Sequence, residues 1–184
     1  SYISEEKDLK EILPPIVEKG IDCIEFHAMG LDEKEIYTKW EYLNENYEGL
    51  LSICTSRGKL SDEALVERIK NMTVNREPYT TIIQADGFPM SGGKDDYKTT
   101  LQAVATAEIV QNAKLPVYVM LSGGTNSKTR ELAELCNIKY WGIAIGSWAR
   151  KIVKEQICAD DFWTKIEQQE KAINIAKNLI ESAS

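Results

Sequence analysis

Short β-type runs alternate with longer helical runs along almost the whole chain, and this alternation limits the possible folds more than any other feature. A strand–helix–strand order requires parallel strands joined by right-handed crossovers. The sequence therefore predicts an α/β fold with a parallel five-stranded sheet. Strands are predicted at 22–28, 49–55, 80–86, 116–122 and 140–146, and helices at 5–20, 32–46, 61–72, 96–113, 127–136, 148–157 and 161–182.

Side-chain alternation within the strands separates two architectures, an open doubly wound sheet and part of a (β/α) barrel. Helices cover both faces of an open sheet, so both faces should be uniformly apolar. Here one face of several strands is polar or small, which favours a barrel with a lumen that ends in an active-site mouth. Five strands cannot close an eight-stranded barrel, so we expect the later portion of a TIM barrel without its beginning. The polar or small positions are Cys23, Glu25, His27, Ser52, Cys54, Ser56, Gln84, Asp86, Gly142, Ala144 and Gly146.

Local signals refine the helices. Asp32 and Glu35 have the spacing of a capping box, and Ser61 is placed to cap the next helix. Pro14 and Pro15 fall inside the first helical run, where we expect them to kink or split it.

Length and charge bound the class of protein. The 184 residues suffice for one domain with a sizeable core, and we expect residues 1–184 to be a single partial-barrel domain cut from a longer protein. The net charge of -7 argues against nucleic acid as a partner, because phosphate backbones need a basic face. No apolar run approaches the roughly 20 residues that span a bilayer, and a signal-peptide pattern is absent. We therefore expect no membrane partner and a cytoplasmic location.

The four cysteines do not form a recognisable metal-binding pattern. Their wide spacing contains no CxxC pair, so no metal site or cofactor is predicted within this chain. In the cytosol we expect them to be reduced, small core residues. They are Cys23, Cys54, Cys136 and Cys158.

Two glycine turns give the clearest indication of a binding site. Each places glycine at a predicted strand end just before a helix, and the two strands should be parallel neighbours. Glycine lets backbone approach a ligand, and unpaired helix N–H groups attract anions. The pattern predicts a phosphate or carboxylate site, although the glycines could equally serve only as tight turns. The predicted ligand-binding residues here are Ser122, Gly123, Gly124, Thr125, Asn126, Gly146 and Ser147.

The loop after the third strand is a second candidate. Gln84 and Asp86 should point into the lumen, where a carboxylate can act as a general base, and a glycine-rich segment at 87–93 with Lys94 could close over a ligand. Asp86 could instead cap amides of its own loop. Asp86 is thus a candidate catalytic residue, and Gln84 and Lys94 are candidate ligand-binding residues.

Glu25 and His27 lie two apart on one strand and therefore share a face. His27 is the only histidine, the residue type that ordinarily changes charge near neutral pH, and Glu25 could orient it as a catalytic base. A structural role for His27 is the alternative. Arg57 follows the next strand and could clamp a carboxylate or phosphate, or remain a solvated charge. Glu25, Asp86 and Asp95 could hold a hard cation, but their spacing is not diagnostic.

Three ordered motifs resemble a known family. They are Gln84–Gly92 (QADGFPMSG), Leu121–Asn126 (LSGGTN) and Gly142–Arg150 (GIAIGSWAR). Together they resemble the carboxyl-terminal domain of the LdpA-type (light-dependent period) iron–sulfur proteins. The resemblance implies that this domain follows a ferredoxin-type module with two [4Fe–4S] clusters. Those clusters would lie in the upstream module, with none in this chain.

The resemblance leads to a functional expectation with one alternative. We expect the ligand-binding barrel portion of an iron–sulfur redox protein, with an anionic small molecule and the upstream module as partners. As an enzyme it would be a reductase or a lyase-type aldolase, although no lysine is placed securely at a strand end for Schiff-base chemistry. The alternative is a non-catalytic, redox-sensing or partner-docking module. An incomplete barrel also leaves a sheet edge exposed, so we expect self-association or capping by the helix at 161–182.

Overall fold

The structure, a computed structural model, describes residues 6–28, 32–58, 60–87 and 93–184. Its strands are β1 (Cys23–His27), β2 (Leu50–Ser56), β3 (Thr81–Asp86), β4 (Tyr118–Ser122) and β5 (Gly142–Ile143). Its helices are α1 (Glu6–Glu18), α2 (Glu33–Asn46), α3 (Asp62–Thr73), α4 (Tyr97–Asn112), α5 (Thr129–Leu135), α6 (Ser147–Ile152), α7 (Lys154–Ile157) and α8 (Ile166–Ala183). These elements confirm the predicted α/β fold.

The five strands form one all-parallel sheet in the order β1-β2-β3-β4-β5. A doubly wound sheet reverses its strand order at a switch point, whereas the strands of a barrel follow each other in sequence. The observed order is therefore the order found around a (β/α) barrel. Right-handed crossovers that always advance in one direction place their helices on one side of the sheet.

The core lies between the helices and that side of the sheet. Ile53, Ile83 and Leu121 from three successive strands are fully buried there. Phe26 on β1 packs against Trp40 on α2, with ring centroids 5.7 Å apart. The remaining core side chains on the helices include Ile36, Leu43, Leu65, Ile69, Val104, Ala107 and Val110.

The predicted fifth strand is longer than the observed one. The ladder between β4 and β5 contains only Met120 with Gly142 and Leu121 with Ile143. One further backbone bond flanks it on each side, from Trp141 N to Val119 O and from Ala144 N to Leu121 O. The paired part of β5 thus covers only two of the seven residues predicted at 140–146.

The structure tests the predictions made for the cap of α2 and for the prolines in α1. Asp32 caps α2 as predicted, since its Oδ1 accepts a hydrogen bond from Glu35 N at 2.8 Å. Of the two outcomes expected at Pro14 and Pro15, a kink or a split, the split does not occur, because α1 runs through both residues. The buried Leu9 and Leu13 anchor this helix in the core, and that packing compensates for the two missing backbone donors.

The cysteine prediction also needs correction. All four cysteines are free, and Cys54 is buried in β2. Cys136 and Cys158 are exposed, because each lies at the C-cap of a short surface helix, α5 and α7 respectively. Cys23 is exposed as well, on the edge strand β1.

Helix α8 lies beside the β5 end of the sheet. It packs on α5, α6 and α7, and an apolar groove of about 620 Å³ separates it from the β5 region. The spacing of apolar residues along this helix predicts an apolar stripe of Ile166, Ile173, Ala176 and Ile180. The buried side chains are instead Ala172 and Leu179. The three isoleucines of the stripe are exposed. Within the described residues, no helix combines the length and apolar character needed to cross a membrane.

Candidate functional site

Both glycine turns lie at the carboxyl ends of neighbouring parallel strands, as predicted. β4 ends at Ser122 and leads into Gly123, and β5 leads through residues 144–146 into α6, which begins at Ser147. Carboxyl ends of parallel strands form the edge at which α/β proteins bind ligands. This edge is the candidate site.

The face of the sheet opposite the core carries polar groups on four adjacent strands. The register pairs Glu25 with Ser52, His27 with Cys54, Cys54 with Gln84, and Asp86 with Ser122. The predicted polar face therefore exists, and it runs from the exposed edge strand β1 to the buried end of β4.

Gln84 joins three strands on this face. Its Nε2 donates to Glu25 Oε2 at 2.8 Å and to Ser52 Oγ at 2.9 Å. One amide thus holds the Glu25 carboxylate in place across the intervening strand. Gln84 was predicted to bind ligand, and in this structure its amide is engaged with protein groups.

Glu25, His27 and Cys54 form a cluster at the β1–β2 end of this face. Glu25 Oε1 lies 3.9 Å from His27 Nδ1, and one ligand-type atom from each residue lies within 4.8 Å of the other two. The side chains of His27 and Glu25 are 49% and 55% exposed, whereas Cys54 is buried. The sequence predicted Glu25 and His27 but not Cys54, whose place depends on its register with His27.

Burial changes the acid–base properties of two groups here. Burial is the largest cause of the raised pKa of Asp86, which opposes the lowering effect of the hydrogen bond from Ser122 Oγ to Asp86 Oδ1 at 3.3 Å. Burial, together with the charges of Asp86 and Glu25, raises the pKa of Cys54 to about 12. Without a ligand, therefore, the Cys54 thiol is protonated at neutral pH.

The first glycine turn is packed tightly against protein. Gly123 and Gly124 have φ values of 62° and 80°, which side chains other than glycine rarely adopt. A Cβ on Gly123 would lie 1.6 Å from Asp86 Oδ1, and one on Gly124 would lie 1.9 Å from Thr99 O. These glycines let the turn approach Asp86 and the start of α4.

Thr125 and Asn126 fasten the same turn to its neighbours. Thr125 Oγ1 donates to Ala144 O at 2.5 Å, which ties the turn to the segment after β5. Asn126 is fully buried, and its Nδ2 donates to the carbonyls of Lys94 and Asp96 at 3.0 and 2.8 Å. Both side chains were predicted to bind ligand, and both have hydrogen-bond partners within the protein.

The second glycine turn is open. Gly146 and Ser147 are exposed, and Arg150 Nη2 donates to Ser147 Oγ at 3.4 Å. Lys151 Nζ donates to Gly93 O and lies 5.6 Å from the centre of the Trp148 ring. Neither cation was predicted as a site residue, although their position in the first turns after the glycine marks them as site neighbours.

The remaining predicted residues lie around this edge. Arg57 Nε pairs with Asp62 Oδ1 at 3.1 Å, so its guanidinium has a carboxylate partner. Lys94 is exposed, and its backbone carbonyl accepts from Asn126. The predicted closing loop lies outside the described residues at 88–92.

A parallel sheet in sequential order, with polar groups gathered on one face at its carboxyl edge, defines an α/β protein with an all-parallel five-stranded sheet. The family model for the "Light dependent period A C-terminal domain" matches residues 15–183, and the chain belongs to this family. It is 31% identical over 157 residues to Light dependent period A of Synechococcus elongatus, which covers 80% of this chain and 44% of that relative. The chain thus spans less than half the length of this relative. No solved structure gives a significant match.

Proposed function

We propose that this domain is the ligand-binding portion of an iron–sulfur redox protein. In this proposal it holds a small anionic molecule, a phosphate or carboxylate, at the carboxyl ends of β4 and β5. The [4Fe–4S] clusters would lie in an upstream module of the longer protein, and the domain would act in the cytoplasm.

The open turn at Gly146 and Ser147 carries the anion proposal. Both residues are exposed, and Arg150 and Lys151 follow within one helical turn. The Arg150 guanidinium approaches to 3.6 Å of the point where a Gly146 side chain would begin. In a chain of net charge -7, two adjacent cations make this end of the sheet locally favourable for an anion. Guanidinium and backbone N–H groups both bind phosphate and carboxylate oxygens well.

The polar face beside that turn would hold the rest of the ligand. His27 Nδ1 lies 3.9 Å from Glu25 Oε1, and Asp86 has a raised pKa because of its burial. A buried carboxyl group and a neighbouring imidazole can exchange protons with a ligand. We therefore propose Glu25, His27 and Asp86 as the groups that would serve a reductase or lyase-type reaction, with electrons from the upstream clusters in the first case.

A docking role is the second candidate, and the exposed isoleucines of α8 favour it. Three isoleucines on this helix are 72%, 63% and 65% exposed, in the order Ile166, Ile173 and Ile180. Contact with a partner would remove this apolar surface from water, which is favourable. A module that reports the state of the clusters would use such a surface and would need no small ligand.

Phosphate binding tests the first proposal. Titration calorimetry with inorganic phosphate and pyrophosphate should show saturable binding, and Arg150→Gln should weaken it about 10-fold, because a charge-assisted hydrogen bond contributes roughly 1.5 kcal/mol or more. Arg130→Gln is the matched control, since Arg130 is an exposed helix arginine paired with Glu134 and should leave binding unchanged. Equal binding by both variants, or no binding at all, would contradict the anion site and favour the docking role.

A further inference from the structure

Cys54 has no part in the proposed function, yet its thiol lies beside Glu25 and His27, which do. We propose that these three side chains bind one transition-metal ion of the Zn²⁺ type, with a carboxylate oxygen, an imidazole nitrogen and a thiolate sulfur as ligands. This inference rests on other observations than the phosphate site at Gly146 and Ser147, although Glu25 and His27 belong to both proposals.

The two strands bring the ligands together without help from a loop. His27 and Cys54 are register partners on β1 and β2, and Glu25 precedes His27 by two residues on the same face. The three ligand atoms lie within 4.8 Å of one another, with 3.9 Å between Glu25 Oε1 and His27 Nδ1. Tetrahedral zinc with bonds of about 2.0–2.3 Å places its ligand atoms roughly 3.3–3.8 Å apart. Movements of about 1 Å or less would therefore close the site.

The His27 side chain is free to make the movement that closes the site. Cys54 is buried in the sheet, and Gln84 holds the Glu25 carboxylate, whereas His27 is half exposed and can rotate toward both. The exposed side of the cluster leaves a fourth position for water. Three protein ligands with an open fourth position are typical of catalytic rather than structural zinc.

The donor set selects the class of ion. Ca²⁺ and Mg²⁺ prefer oxygen ligands and fit poorly to a thiolate and an imidazole, whereas Zn²⁺ and Co²⁺ accept all three donors. Binding would replace the thiol proton with the metal and release that proton to solvent, with no change of oxidation state.

Gln84 holds one of the proposed metal ligands, Glu25, in position. Its Nε2 bonds to Glu25 Oε2 at 2.8 Å, so Glu25 presents its other oxygen, Oε1, to the His27 side. Hydrogen bonds of this kind orient carboxylate ligands in metal sites and strengthen metal binding. The orientation of Glu25 is an observation separate from the proximity of the three ligands.

Cobalt is the probe that tests the site. One equivalent of Co²⁺ added to the reduced 184-residue protein should give a thiolate-to-cobalt charge-transfer band and the visible bands of tetrahedral cobalt, and Zn²⁺ should displace it. Mg²⁺ in excess should displace nothing. Cys54→Ser should abolish the charge-transfer band, and Cys23→Ser, which removes an exposed thiol from the same strand face, should retain it.

His27→Ala keeps the test decisive if Cys54→Ser fails to fold, because His27 is exposed and its loss leaves the core intact. It should weaken Co²⁺ binding at least about 10-fold and alter the visible bands, with an unchanged far-UV circular dichroism spectrum. A wild-type protein without the charge-transfer band, or a band unaffected by His27→Ala, would overturn the proposal. Arg150→Gln, which changes only the phosphate site, should bind Co²⁺ as the wild-type protein does, so the two proposals fail separately.

Discussion

Gln84 on β3 reaches across β2 to donate a hydrogen bond to Glu25 on β1, with 2.8 Å between Nε2 and Oε2. The same nitrogen donates to Ser52 Oγ on the strand between them. The polar face of the sheet is therefore a connected network that fixes a carboxylate at its edge, beside the only histidine of the chain.

Removal of the hydrogen bond from Gln84 to Glu25 should weaken metal binding at the proposed site. We predict that Gln84→Leu weakens Co²⁺ or Zn²⁺ binding about 10–100-fold, because the Glu25 carboxylate loses the donor that orients it. Competition with a chromophoric chelator measures the change. Gln111→Leu is the control, since that amide bonds to the backbone of Asn137 and Lys139 elsewhere. Equal affinities in the two variants would show that this hydrogen bond does not act on the metal.

The Gly124 turn should not tolerate a side chain. Gly124→Ala places a Cβ 1.9 Å from Thr99 O at a φ of 80°, so we expect a loss of about 3 kcal/mol or more in the free energy of unfolding. Gly20→Ala has a similar φ of 75° but open space around the Cβ, and should cost only about 1 kcal/mol. Urea unfolding compares the two. Similar losses would mean that backbone conformation, not the contact with α4, makes Gly124 necessary.

The Asn126 side chain should stabilise the contact between the turn after β4 and the loop before α4. Asn126→Ala removes donors to Lys94 O and Asp96 O and the acceptor for Lys128 N, in a fully buried place. We predict a destabilisation of about 2–4 kcal/mol. Asn178→Ala, at an exposed position of α8, should change stability by less than about 0.5 kcal/mol. A small effect at Asn126 in urea unfolding would contradict this role and leave its side chain free for ligand.

Thiol reactivity should differ sharply among the cysteines. With its pKa raised to about 12 and its sulfur buried, Cys54 should resist iodoacetamide at pH 8 in metal-free buffer. Cys136 and Cys158 are exposed and should react promptly. Peptide mass spectrometry after timed labelling gives the order, and labelling in urea should make all four equal. Early modification of Cys54 in the native protein would contradict its burial.

Asp86 should make stability depend on pH in a defined direction. Its pKa is raised by burial, so its contribution to stability is full below the unfolded-state pKa and is lost as pH rises through the folded-state pKa. Asp86→Asn cannot ionise, and we predict that its stability relative to wild type increases from pH 4 to pH 7. Urea unfolding at several pH values, with EDTA present, measures this difference. A constant or falling difference would contradict the raised pKa.

Much of the fold follows from local pattern. The strands β1 to β4 and the cap at Asp32 were predictable because alternation and capping depend on neighbouring residues. The length of β5 was not, because the strand pattern at 140–146 does not show how far the chain stays paired with β4. The inward face of α8 was also missed, since Ala172 and Leu179 pack on elements that periodicity does not specify.

The sequence predicted which face of the sheet carries the site residues, but not which side chains contact each other. Alternation placed Glu25, His27 and Asp86 on one side of the sheet. It did not indicate that Cys54 is the register partner of His27, because the register between two strands depends on their crossover and packing. Nor did it show that Thr125 and Asn126 are engaged by the protein, whereas the exposed Gly146 and Ser147 remain open to a ligand.

The most direct test of the anion site is an amide and histidine-ring NMR titration of the protein with pyrophosphate. We predict saturable shifts centred on Gly146 and Ser147 at the β5 end of the sheet, which Arg150→Gln reduces. The result that would contradict it is a set of weak, non-saturating shifts spread over exposed lysines such as Lys171 and Lys177, with the amides of Gly146 and Ser147 unmoved.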